Sequence, residues 1–84
     1  MKLFLVMVMR RPACDPAVVP AHTQFLDELR GQQRVEHSGP FGDKSGGAYL
    51  LRAADLAEAL ATAYRDPAHL SGGWNVTVHE WLAR

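Results

Sequence analysis

The 84-residue sequence has one cysteine, no excess of either charge and no long apolar run. The single cysteine, Cys14, cannot form a disulfide within the chain. Nine basic residues balance nine acidic ones, and no basic stripe is present to contact phosphates, so we expect no nucleic-acid partner. A chain of this length has a thin core, and small domains often gain stability from a partner subunit.

The N-terminal apolar stretch, residues 3–9, is far shorter than the roughly 20 residues that a membrane-spanning helix needs. Arg10 and Arg11 follow it, where a signal peptide would have small residues before its cleavage site. We therefore interpret the stretch as a buried strand and expect a cytoplasmic protein without a membrane segment.

Motifs for metals and phosphates are also missing. The four histidines and the cysteine do not occur in H-x-x-x-H, H-x-E-x-H or C-x-x-C spacings. Gly42, Gly46 and Gly47 do not open a helix, so they do not form a phosphate-binding loop. We expect no metal and no organic cofactor; a metal site assembled from residues far apart in the sequence is the alternative.

A glycine-rich stretch, residues 39–47, lies in the middle of the chain, between residues 35–38, which begin with Val35, and the apolar and aromatic residues 48–51. Glycine supplies the backbone conformations that a tight reversal needs, and proline fixes its own φ. The pattern predicts a hairpin with strands over Val35–Ser38 and Ala48–Leu51.

The other periodic segments complete a β-α-β-β-α-β order. They are a strand over Lys2–Met9, a helix after Asp15 to about Arg30 with Gly31 as its cap, a helix from the cap Asp55 to about Arg65, and a strand over Trp74–Leu82. Pro20 falls one turn into the first helix, so a later start after an irregular segment is the alternative there. This order predicts one ferredoxin-like α+β domain over residues 1–84, with a four-stranded antiparallel sheet and both helices on one face.

Both faces of the first strand are apolar. Leu3, Leu5, Met7 and Met9 alternate with Phe4, Val6 and Val8. The helices of the chain can cover only one face of the sheet. We therefore expect a homodimer that forms through the open sheet face.

Several short motifs occur in a fixed order along nearly the whole chain. They are GPF at 39–41, Asp43-Lys44, GGAYLLRA at 46–53, Asp55-Leu56, the Glu58–Leu60 segment and Asp66-Pro67. Together they resemble the YCII-related (YciI-like) family. The GPF element resembles the branch named for a DGPF motif, with Ser38 where that branch has aspartate.

The resemblance implies a ferredoxin-like fold that dimerises into an α/β barrel. It also implies a suspected active site, formed by a histidine of the first helix and the aspartate of the Asp-Pro pair, which correspond here to His22 and Asp66. At least one relative is thought to act on chlorinated hydroxyquinols. Distant relatives of the fold include lactone isomerases and cofactor-free monooxygenases.

His22 and Asp66 each have a structural and a functional interpretation. His22 shares the helical stripe of Val18, Phe25, Leu26 and Leu29, so it is either a hydrogen-bonded histidine at the edge of the core or a general acid or base. Asp66 either closes a helix before Pro67 or orients His22. A carboxylate is poorly placed at a helix C-terminus, and such local conflicts are typical of functional sites.

The turn supplies the candidate substrate contacts. Ser38, Gly39, Pro40 and Phe41 offer a hydroxyl, backbone groups and a ring, and Asp43 offers a second carboxylate. Turn chemistry alone is an equal alternative for Ser38, Gly39 and Phe41, and for Asp43 the role of a polar turn residue is the favoured interpretation.

These observations favour a small cofactor-independent enzyme, an isomerase, dehydrochlorinase or lyase, in which a His-Asp pair transfers a proton on a cyclic or aromatic small molecule. The alternatives are a non-catalytic ligand-binding or sensor module with the same cavity, and a domain that docks onto another protein.

Overall fold

The computed structural model describes residues 1–84. Its four strands are β1 (Lys2–Arg10), β2 (Val35–Pro40), β3 (Gly46–Ala53) and β4 (Trp74–Glu80). Its three helices are α1 (Val19–Gly31), α2 (Leu56–Ala63) and the single turn α3 (Pro67–Leu70). The strands form one antiparallel sheet in the order β2-β3-β1-β4, which confirms the predicted ferredoxin-like α+β fold. None of the helices is both long and apolar enough to cross a membrane.

The alternation along β1 separates the two faces of the sheet. Phe4, Val6 and Val8 are buried beneath the helices, with Phe4 and Val6 fully inaccessible. Burial of one such side chain stabilises the fold by about 1.5–3 kcal/mol. The intervening residues on the other face, from Leu3 to Met9, are only half-buried.

Helix α1 has the later start that Pro20 indicates, at Val19, and it ends at Gly31. Asp15 caps a 3₁₀ turn, Pro16–Val18, by accepting the N–H of Ala17 at 2.9 Å. The prediction that Gly31 caps the helix is wrong, because Gly31 lies within it. Gln33 takes the left-handed conformation instead, with φ of 59°, and the N–H of Arg34 bonds to the carbonyl of Leu29 at 2.9 Å, as in a Schellman motif.

The hairpin strands are longer than predicted, so that the connecting turn comprises only residues 41–45. Three glycines of the expected turn, Gly39, Gly46 and Gly47, lie in the strands, and at Gly46 and Gly47 the neighbouring backbone approaches too closely for a side chain. A Cβ on Gly47 would lie 2.7 Å from the carbonyl oxygen of Gly39, and one on Gly46 would lie 2.2 Å from that of Val8.

Helix α2 begins as predicted, since the side chain of Asp55 accepts the N–H of Glu58 at 2.8 Å. Leu56 is 47% exposed, whereas Thr62 is buried and accepts a hydrogen bond from Arg34 at 3.0 Å. The helix ends at Ala63 rather than Arg65, because the chain turns there to begin α3.

Candidate active site

A cavity of about 410 Å³ lies between α1 and the helix-covered face of the sheet, near the ends of β2 and β3. Helix α1 contributes His22 and Arg30, and the strands contribute Ser38, Tyr49 and Trp74. Glycine at positions 39, 46 and 47 lines the same region, so the wall formed by the hairpin carries few side chains. The volume falls within the range of about 300–1,000 Å³ that is usual for small-molecule sites.

The side chains of His22 and Asp66 meet beside this cavity. Nδ1 of the imidazole lies 2.9 Å from Oδ1 and 2.7 Å from Oδ2 of the carboxylate. Asp66 is fully buried, and the side chain of His22 is 22% exposed. The two residues proposed from the family resemblance therefore form a hydrogen-bonded pair.

Asp66 reaches this position because it begins a helical turn. It is the N-cap of α3, where its Oδ1 accepts the N–H of Ala68 at 2.9 Å, and Pro67 occupies the first turn. The interpretation of Asp66 as the end of a helix is wrong, and the expected conflict with a helix C-terminus does not arise. The cap fixes the carboxylate, which in turn fixes the imidazole.

The hydrogen bond to Asp66 determines which nitrogen of His22 is available. A carboxylate only accepts hydrogen bonds, so in the neutral imidazole the proton resides on Nδ1. Nε2 then carries a lone pair and has no hydrogen-bond partner within the protein. A histidine held in this way can accept a proton from a bound molecule.

Tyr49 is a second polar group of the cavity that the sequence analysis did not identify. Its side chain is 2% exposed, and its hydroxyl has no hydrogen-bond partner. Burial raises the pKa of Tyr49 from its usual 10.0, and the negative charge of Asp66 raises that pKa further. The only signal in the sequence is strand alternation, which puts Tyr49 and Leu51 on the same face.

Trp74 lines the cavity next to Arg10. It is 7% exposed, and its indole Nε1 also has no hydrogen-bond partner within the protein. The guanidinium of Arg10 lies over its ring, with Cζ 5.3 Å from the ring centroid. This distance is within the range of a cation–π interaction.

The structure separates the five candidate residues of the turn into two groups. Ser38, Gly39 and Pro40 line the cavity, and the hydroxyl of Ser38 accepts a hydrogen bond from Arg30. Phe41 and Asp43 are not part of its wall.

Asp43 stabilises the turn itself. Its Oδ1 accepts hydrogen bonds from the hydroxyl of Ser45 at 2.7 Å and from the N–H of Ser45 at 3.0 Å. These bonds, the one from the hydroxyl first, lower the pKa of Asp43.

The remaining histidines lie apart from the cavity wall. His37 and His79 are exposed on strands, and His69 stacks on Tyr64 with ring centroids 4.3 Å apart. No group of three or more histidine, cysteine, aspartate or glutamate side chains is arranged to hold a metal ion.

Comparison with known sequences gives consistent matches over nearly the whole chain. The family model of the YCII-related domain matches residues 3–82. The uncharacterised protein YjpA of Bacillus subtilis (strain 168) is 37% identical over 81 residues, a region that covers 96% of this chain and 95% of YjpA.

Two solved structures share the fold. One is 5-chloro-2-hydroxyhydroquinone dehydrochlorinase (TftG) from Burkholderia phenoliruptrix AC1100, in complex with 2,5-dihydroxybenzoquinone, with a TM-score of 0.77 and 20% identity over 98% of this chain and 95% of TftG. The other is muconolactone isomerase, with a TM-score of 0.75 and 15% identity over 98% of this chain and 90% of the isomerase. At these identities the similarity concerns the fold.

Proposed function

Because this chain belongs to the YCII-related family and pairs His22 with a buried Asp66, we propose that it is an enzyme that transfers a proton on a cyclic or aromatic small molecule. His22 is the general base, and Asp66 is the residue that positions it. The observation that carries the proposal is the hydrogen bond between them, because it leaves Nε2 of His22 free beside the cavity.

The arrangement suits reactions that begin with removal of a proton. In an isomerisation, Nε2 of His22 takes a proton from one atom of the substrate and returns it to another. In a dehydrochlorination, Nε2 takes the proton, the electron pair of the broken bond to hydrogen forms a new double bond through the ring system, and the C–Cl bonding electrons leave with chloride. Neither reaction involves a net transfer of electrons, and a positioned histidine contributes about 10²–10⁴-fold to such steps.

The two related folds support this range of chemistry. One solved structure is of a dehydrochlorinase with a dihydroxybenzoquinone bound, and the other is of an isomerase of a lactone. A cavity of about 410 Å³ accommodates a single ring with its substituents. We extend the class of reaction, rather than either substrate, to this chain.

We also propose that two copies of the chain form a dimer through the open faces of their sheets. Leu5 and Met7 of β1 and Leu50 of β3 lie on the face of the sheet opposite the helices, where they are half-buried in the single chain. Packing of two such faces against each other would remove these apolar side chains from water. The cavity lies on the opposite, helix-covered side of the sheet.

A ligand-binding protein without turnover is the second candidate. This candidate is favoured by the hydrogen-bond donors of Tyr49 and Trp74, which have no partner within the protein. They predict that a molecule with acceptor groups binds in the cavity, whether or not it then reacts. The two candidates differ in whether a bound molecule is converted.

The experiment that separates them is a turnover assay with a panel of chlorinated hydroxyquinols, hydroxybenzoates and unsaturated lactones. Wild type and His22→Gln are compared, and circular dichroism verifies that both are folded. We expect product with the wild type and a rate at least about 100-fold lower with His22→Gln. Equal rates for the two proteins would contradict the proposal, and tight binding without any product would favour the second candidate.

A further inference from the structure

Two buried donors in the wall of the cavity lack an acceptor within the protein. They are the hydroxyl of Tyr49 and the indole Nε1–H of Trp74. Buried polar groups are normally hydrogen-bonded, and one that is left unsatisfied costs about 1–3 kcal/mol. Both residues are more than nine-tenths buried, so bulk water does not supply the missing partners. Both residues line the cavity, so an oxygen acceptor bound there would satisfy the two donors if the side chains turn toward it.

The two donors belong to different parts of the cavity. Tyr49 pairs with Val6 of β1, and Trp74 pairs with Arg10 of the same strand. Along β1 the four-residue offset corresponds to about 13 Å, and because β3 and β4 lie on opposite sides of β1, the backbones of Tyr49 and Trp74 are also about 10 Å apart across the sheet. A ligand that contacts both donors must therefore carry two separate oxygen functions.

The end of the cavity at Trp74 also carries a positive charge that the protein leaves unneutralised. The guanidinium of Arg10 lies over the indole ring and makes no hydrogen bond or ion pair with another side chain. The other arginine of the wall, Arg30, is bonded to Asp27 at 3.3 Å and to Ser38. The guanidinium of Arg10 is therefore available to bind an anionic group beside Trp74.

We propose that the cavity binds a compact ring acid whose carboxylate is held by Arg10 and the Nε1–H of Trp74, and whose ring oxygen is held by the hydroxyl of Tyr49. This inference rests on the proposed function for the location of the site, and it adds the class of ligand. An indole N–H is only a donor and a carboxylate is only an acceptor, so the two groups match. Hydrogen bonds to a charged acceptor are about twice as strong as neutral ones.

The hydroxyl of Tyr49 is suited to a developing negative charge on the ring oxygen. Burial and the nearby charge of Asp66 raise the pKa of Tyr49, so the group stays protonated at neutral pH and can donate. When His22 removes a proton from the ring system, the electron pair left behind can move onto the ring oxygen. A fixed donor at that oxygen stabilises the resulting anion.

The test is calorimetric binding of three probe types to the purified protein: meta- and para-hydroxybenzoate, their methyl esters, and benzoate. At least one hydroxybenzoate should bind to the wild type. The methyl ester of that acid and benzoate should each bind with an affinity that is lower by about tenfold or more. Trp74→Phe and Arg10→Met should abolish the preference for acid over ester. Tyr49→Phe should abolish the preference for hydroxybenzoate over benzoate and leave the preference for the acid intact.

Each result decides the inference. Failure of both hydroxybenzoates to bind to wild type at millimolar concentration would overturn it, as would preferences that persist in the variants. If Trp74→Phe fails to fold, Arg10→Met still tests how the carboxylate is bound. Arg10 is exposed, so we expect its substitution to leave the fold intact. His22→Gln separates this inference from the proposed function, since it should bind the acids as the wild type does while losing turnover.

Discussion

Nδ1 of His22 lies 2.7 Å from Oδ2 and 2.9 Å from Oδ1 of Asp66, although 44 residues separate them in the sequence. The same Oδ1 accepts the N–H of Ala68, so one carboxylate both caps α3 and holds the imidazole. These two roles can be separated by mutation, because asparagine is as good an N-cap as aspartate whereas alanine is not.

Asp66→Asn should retain the fold and lose activity. The amide oxygen of asparagine can accept the N–H of Ala68, while its NH₂ donates to Nδ1 of His22 and moves the ring proton to Nε2. Turnover should fall by about 10²–10⁴-fold, with a melting temperature close to that of the wild type. Asp66→Ala should also lose the cap, which costs about 1 kcal/mol. Undiminished turnover by Asp66→Asn would contradict the role of the pair.

Tyr49 should make the fold sensitive to alkali. Its folded-state pKa lies above the usual 10.0, so its contribution to stability is complete below pH 10. As the pH rises above 10, Tyr49 ionises in the unfolded chain before it ionises in the folded protein. The free energy of unfolding therefore decreases until the pH reaches the folded-state pKa. Urea unfolding between about pH 9 and pH 11 should show this loss in wild type.

Tyr49→Phe should remove this component of the pH dependence, whereas Tyr64→Phe, at a 41% exposed tyrosine, should retain it. At neutral pH, Tyr49→Phe should be as stable as the wild type or more stable, because the hydroxyl has no partner to lose. Marked destabilisation of Tyr49→Phe at neutral pH would indicate an internal partner for the hydroxyl.

Gly46→Ala should destabilise the hairpin. The new Cβ would lie 2.2 Å from the carbonyl oxygen of Val8 and 2.8 Å from Cα of Met9, both backbone atoms of β1. We expect a loss of about 1–3 kcal/mol or more. Gly31→Ala is the matched control, since its Cβ meets nothing within 4 Å in α1, and it should stabilise by about 0.5–1 kcal/mol. Thermal unfolding measures both, and equal effects would refute the close approach at Gly46.

A charge on the open face of the sheet should prevent dimer formation. Leu5 lies between Leu50 and His79 on this face, and an unpaired lysine there would be buried in the interface at a cost of several kcal/mol. Light scattering should report a dimer for wild type and for Gln24→Lys, an exposed position on α1, and a monomer for Leu5→Lys. A monomeric wild type at micromolar concentration would refute the dimer.

The parts of the fold that depend on local pattern were predictable from the sequence. Strand alternation grouped Phe4, Val6 and Val8 on one face, although it did not indicate that the helices cover this face, and helical spacing put Leu26 and Leu29 on one apolar stripe; all five are buried. The end of α1 was not predictable, because a glycine at position 31 satisfies the usual rule for a cap while Gln33 takes the left-handed conformation.

The site depends on contacts between distant segments, which local pattern does not specify. The family resemblance named His22 and Asp66, but the proline after Asp66 indicated the end of one helix, whereas Asp66 begins another. Tyr49 and Trp74 appear in the sequence as ordinary strand residues, and only the structure reveals that their polar atoms are buried without partners. Asp43, which the sequence offered as a second carboxylate, is engaged by Ser45.

The central claim is that Asp66 keeps the Nε2 of His22 free to accept a proton. The most direct measurement is NMR of the histidine ring nitrogens in ¹⁵N-labelled protein, with His22 assigned by comparison with His22→Gln. The account predicts that the neutral ring of His22 is protonated at Nδ1 in wild type and at Nε2 in Asp66→Asn. The same tautomer in both proteins, or a wild-type His22 protonated at Nε2, would contradict it.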